Sequence, residues 1–65
     1  MQEALQRIGV SMYKTKLSKS ELVVLIAEMN GVSERQVYRW LAKGGIVESG
    51  RIIAALEDIE KELGK

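Results

Sequence analysis

Val23 to Lys43 reads VVLIAEMNGVSERQVYRWLAK, and the order of signals inside it decides the fold. Asn30-Gly31 ends a helix, because glycine readily adopts the left-handed backbone conformation that follows a helix C-terminus. Ser33-Glu34-Arg35-Gln36 then starts another. In such a capping box the serine hydroxyl takes one free backbone N–H, and the glutamine side chain returns to the serine's own N–H. Val32 and Val37 flank it as a hydrophobic staple. The second helix is expected from Glu34 to about Lys43, where Gly44-Gly45 stops it. The first has its own start signal, the capping box Ser18-Lys19-Ser20-Glu21 with Leu17 and Leu22 as staple, and runs from Lys19 to about Met29. Two complete start signals this close confine the turn to Asn30–Ser33.

The first of these helices is apolar almost all round (Leu22, Val23, Val24, Leu25, Ile26, Ala27 and Met29), so other elements must cover it on more than one side. Upstream, Met1, Ala4, Leu5, Ile8 and Met12 fall at helical spacing to about Tyr13. Gly9 weakens that helix by ~1 kcal/mol relative to alanine and admits a break or bend near Gly9–Ser11. Tyr13 to Lys19 is polar and basic and reads as a loop. Downstream, Ile46 to Gly50 reads as a short connection with Ser49 as N-cap. From Arg51 to Leu63, Ile52, Leu56, Ile59 and Leu63 form an amphipathic stripe widened by Ile53 and Ala55. The expected architecture is all-α: a small bundle of about four helices, one domain over residues 1–65.

Composition limits what else the chain can do. At 65 residues it holds one domain. A chain this short buries only about 60% of its unfolded surface, so compact helix packing or self-association must help. It has no cysteine and no histidine, which removes disulfides, thiolate and imidazole metal sites and the commonest general base. No nucleophile–base pair, phosphate-binding glycine loop or metal-ligand cluster is present, so no enzymatic activity, cofactor or metal is expected. No apolar run approaches the ~20 residues of a membrane span. The N-terminus lacks a signal peptide's basic start and apolar core, and the expected compartment is the cytoplasm, at the nucleoid. The net charge is only +1, but it is unevenly spread: residues 1–47 carry seven Lys/Arg against four Glu, and residues 48–65 carry three against five acids. The basic part contains the paired helices, and the acidic tail would be repelled by phosphate.

The pairing in residues 23–43 resembles the bipartite helix-turn-helix of phage and bacterial repressors. That pattern has a small residue in the first helix, a glycine four residues later at the turn, an apolar residue after it and two more along the second helix. Here these are Ala27, Gly31, Val32, Val37 and Trp40, with Ile26 in the apolar slot before the alanine. The match covers about a third of the chain. With a helix before it and one after, the chain is similar to the lambda-repressor/Cro-like superfamily of small prokaryotic or phage repressors, many of which carry two helices where this tail holds one. A homeodomain-like trihelical domain, as in the DNA-binding portions of resolvases and invertases, is the nearest alternative.

The resemblance implies a helix that enters the major groove of double-stranded DNA by its N-terminal end. Projected at ~100° per residue, Glu34–Lys43 turns Val37, Trp40 and Leu41 inward. Arg35, Tyr38, Arg39, Ala42 and Lys43 turn outward, with Ser33, Glu34 and Gln36 at the exposed start. The expected DNA-contacting set is Ser33, Glu34, Arg35, Gln36, Tyr38, Arg39 and Lys43, with Lys19. Arginine's fork meets guanine O6 and N7 together, and two arginines one turn apart favour base contact over mere solvation. Tyr38 either packs on the domain's own surface or touches a base or phosphate. Gln36 is first a capping residue, although glutamine can also read adenine. Glu34 suits the positive end of the helix dipole better than cytosine N4, and Ser33 is a cap whose hydroxyl can also reach a phosphate. Trp40 belongs to the core. Lys14, Lys16, Lys19 and Lys43 are candidate phosphate contacts, the first two equally readable as solvated loop charges. Lys19 is better placed, at the opening of a helix that crosses the backbone.

One such helix binds weakly, so a homodimer on paired half-sites is expected, joined through Ile52, Leu56, Ile59 and Leu63 of the last helix. Part of that stripe must also fold back over Leu22–Met29. The function this implies is a sequence-specific DNA-binding transcriptional regulator, a repressor, of prokaryotic or mobile-element origin. Two other functions are compatible: the DNA-binding domain of a recombinase, excisionase or partition protein, and an antitoxin-like protein-interaction module. Met1 at the start and an end close to a helix terminus suit a complete small protein or an N-terminal domain.

Overall fold

Residues 3–63 are described in the computed structural model, and they form four α-helices with no strand among them. These are α1 (Glu3–Thr15), α2 (Lys19–Asn30), α3 (Glu34–Lys43) and α4 (Ile46–Leu63). The protein is a small all-α bundle. Met1, counted above in the N-terminal stripe, lies outside the described residues.

The signals around the central turn act as their chemistry requires. At Ser18 the hydroxyl accepts the Glu21 N–H at 3.2 Å, and the Glu21 carboxylate accepts the Ser18 N–H at 2.8 Å, a complete capping box. Gly31 sits in the left-handed region at φ 66°, where a β-carbon would be strained. Its N–H reaches the Glu28 carbonyl at 3.3 Å, and the Val32 N–H reaches the Ala27 carbonyl at 3.0 Å. These two bonds make a Schellman motif, which satisfies carbonyls the helix end would leave free. Ser33 then accepts the Gln36 N–H at 3.2 Å and opens α3. The expected return bond from the Gln36 side chain to Ser33 is not made, so this cap is half of a box.

Three expectations for the flanking segments are corrected. First, α1 runs unbroken through Gly9 and extends to Thr15, so the connection to α2 is only Lys16–Ser18. Its buried side is Ala4, Ile8 and Ser11, while Leu5 and Met12 sit at the exposed edge. The helix closes with Lys16 in the left-handed region (φ 65°), its N–H on the Met12 carbonyl at 2.9 Å. Second, α4 begins at Ile46, so Ile46–Gly50 is its first turn and a half rather than a connection, and Ser49 is inside the helix. Gly45 takes the capping place: its carbonyl accepts the Ser49 N–H at 3.0 Å, and its own N–H donates to the Glu48 carboxylate at 2.9 Å. Glycine is an acceptable N-cap, and a glutamate three residues on supplies the returning bond.

Third, the α4 stripe is core. Ile52, Leu56 and Ile59 fold back over α2, as part of the stripe was expected to, and are buried beside Ala55 rather than exposed for a seam with a second copy; Leu63 is exposed. They meet Leu22, Val23, Ile26 and Ala27 of α2, Val37 and Leu41 of α3, and Ala4 and Ile8 of α1. Thus α4, the longest helix, is the spine. Its largest contact is with α1, and α2 bridges it to α3. The α1–α4 seam also carries a polar clasp. The Ser11 hydroxyl, fully buried, donates to the Glu60 carboxylate, which lies 3.8 Å from the Arg7 guanidinium and 3.7 Å from Lys14 Nζ.

Candidate nucleic-acid interface

The rotation of α3 about its own axis is set by what it buries. Val37 is fully enclosed and Leu41, one turn on, nearly so, while Trp40 is half-buried against the same core. With those three inward, helical geometry leaves Arg35, Tyr38, Arg39, Ala42 and Lys43 on the outer side, and all five are exposed. Ser33 and Glu34 are exposed at the N-terminal end. Among the described residues, neither Arg35, Arg39 nor Lys43 forms an ion pair with a carboxylate, so their charges face solvent.

Lys19 joins this face from the start of α2. Its ammonium lies 6.0 Å from the centre of the Tyr38 ring, at the outer range of a cation–π contact. The ring thus meets its own protein through Lys19 and stays 42% exposed. Glu34 is in the first turn of α3, where the helix dipole favours a negative charge. The Ser33 oxygen is taken by the Gln36 N–H, but its hydroxyl proton remains available to a further acceptor.

Gln36, freed from the capping role expected of it, lines an open groove with Arg39, Trp40, Lys43 and Glu48. The groove has a volume of about 580 Å³ and runs from the outer face of α3 to the start of α4. Its far wall holds Gly44, which bends away in extended backbone and donates to the Trp40 carbonyl at 2.7 Å. A β-carbon there would collide with that carbonyl oxygen. Close approach, not a left-handed turn, explains this glycine. Glu48 is the one wall residue that sequence reasoning misses, because it places the start of α4 at Arg51. The available signal is a glutamate three places after a glycine cap, with Gly45 followed by Ile46-Val47-Glu48.

Two of the lysines named as phosphate contacts stand elsewhere. Lys14 pairs with Glu60 in the α1–α4 clasp, and Lys16 sits over the Tyr13 ring at 5.2 Å. What remains together is Arg35, Tyr38, Arg39 and Lys43 on one side of α3, with Ser33, Glu34 and Gln36 at its start and Lys19 alongside. The arrangement offers two flat guanidinium forks and two ammonium groups to an anionic or acceptor-rich surface. Among the described residues no group of three His, Cys, Asp or Glu side chains could hold a metal ion, and no helix is long and apolar enough to cross a membrane. No protein-family model, curated protein or solved structure matches this chain.

Proposed function

We propose that the protein binds double-stranded DNA in a sequence-dependent way, as a cytoplasmic transcriptional regulator of the helix-turn-helix kind, with α3 in the major groove. The observation that supports this most is the pairing of Arg35 and Arg39 one turn apart on the exposed side of a helix whose other side is fixed by Val37 and Leu41. Arg35, nearer the N-terminal end, is the base-reading residue, and Arg39 is the second. Gln36, with no capping bond to keep it, becomes a candidate for adenine. Lys19, beside Tyr38, and Lys43, at the end of α3, hold phosphates.

A single α3 with so few cations binds weakly at physiological salt, and two copies on half-sites about one DNA turn apart would restore affinity. The stripe Ile52, Leu56 and Ile59 is spent on the core, so the pairing surface on this reading is the apolar pair left outside at the start of α4: Ile46, 92% exposed, and Val47, 66% exposed.

Selection of bound duplexes from a random pool, followed by a salt titration on the winner, tests the proposal. The expected result is a defined site whose affinity falls linearly with salt on logarithmic axes, with a slope of about −0.9 for each phosphate neutralised. Failure to enrich any sequence, with no duplex binding at low salt, would end it.

A further inference from the structure

A second surface lies where no residue of α3 contributes. Between α2 and the end of α4 run two adjoining hollows of about 260 and 330 Å³ that share Leu25 and Leu63. Met29 and Ile59 complete the first, and Leu17 and Val24 the second. The floor is apolar, and much of it is open: Met29 is 48% exposed and Leu63 53%. Among the described residues, every charged one on the walls is acidic, namely Glu21, Asp58 and Glu62.

We propose that this groove docks an amphipathic helix of a partner protein, leucine-type side chains downward and lysines or arginines along its edges. The apolar floor between two helices suits the i, i+4, i+7 anchors of a helix laid into a groove. The walls choose its charge, because a basic helix meets three carboxylates and an acidic one is repelled. The same walls turn away a second copy of this chain. A two-fold dimer through the groove brings each patch against itself, and so Glu21, Asp58 and Glu62 face their own kind. Occupation of the groove leaves the outer side of α3 uncovered, so one chain can hold its helical partner and use α3 at once.

Titration of the isotope-labelled full chain with a synthetic peptide tests this without DNA. The probe is an amidated helix with leucines at i, i+4 and i+7 flanked by lysines, and its counterpart has each lysine replaced by glutamate. Amide shifts should concentrate in α2 and the last turns of α4, with the lysine peptide bound about tenfold tighter than the glutamate one at low salt. Asp58→Lys with Glu62→Lys, both exposed positions, should invert that preference, and Leu63→Asp should weaken both peptides about tenfold while the helical circular dichroism is retained. Equal binding of the two peptides, shifts confined to other elements, or sedimentation as a dimer that Leu63→Asp dissociates would overturn the proposal.

Discussion

Three glycines in this chain look alike in the sequence and differ in what they require. Gly31 needs its left-handed φ, so Gly31→Ala should cost about 1–2 kcal/mol. Gly44 needs the space beside the Trp40 carbonyl, and Gly44→Ala should cost about 1–3 kcal/mol through forced backbone movement. Gly9 needs neither: it lies in mid-helix with nothing within 4 Å of the β-carbon it lacks. Gly9→Ala should therefore stabilise by about 0.5–1 kcal/mol. Urea denaturation of the three variants checks the set, and a destabilised Gly9→Ala would contradict an unbroken α1. Gly31 is legible because asparagine-glycine before a capping serine has one common reading. Gly44 is legible as a stop but not in its reason, since a close approach is a tertiary fact.

At the level of the helices, α2 and α3 can be read almost to the residue, because both start with serine caps whose bonds are local. The end of α1 and the start of α4 cannot, although α4 stops at Leu63 as its pattern does. The inward face of α1 ends on Ser11, a polar residue that is buried only because Glu60, forty-nine positions away, accepts its hydroxyl. No local pattern announces that pair. Glu60→Ala should cost about 1–3 kcal/mol, since it leaves the buried Ser11 hydroxyl without its partner and removes the carboxylate facing Arg7 and Lys14. Glu60→Gln, which keeps an acceptor, should cost less. The start of α4 is hidden by Gly50, which reads as a loop residue yet is helical. Its cap rests on Glu48, and Glu48→Ala should speed hydrogen exchange at Gly45 without altering exchange in the middle of α4. Slow exchange unchanged at Gly45 would show that the carboxylate does not cap the helix.

For the molecule as a whole, the stripe on α4 shows how a sequence pattern can be right in its period and open in its partner. Ile52, Leu56 and Ile59 have the spacing of a seam between chains, and the chain uses them to cover the nearly all-apolar α2. A 65-residue domain has about 3–10 kcal/mol of stability in total. Leu56→Ala, at a fully buried position, should remove about 2–5 kcal/mol of it, enough to lower the thermal midpoint by more than about 8 °C or to unfold the chain outright. The same packing turns Arg35 and Arg39 outward, and the proposed function depends on them. On the selected duplex, Arg35→Ala and Arg39→Ala should each lose about 1–3 kcal/mol of binding with the helical circular dichroism unchanged, and should relax discrimination at one base position apiece. If both variants bound the selected site as tightly as the unaltered chain, α3 would not be the reading element and the proposed function would fall.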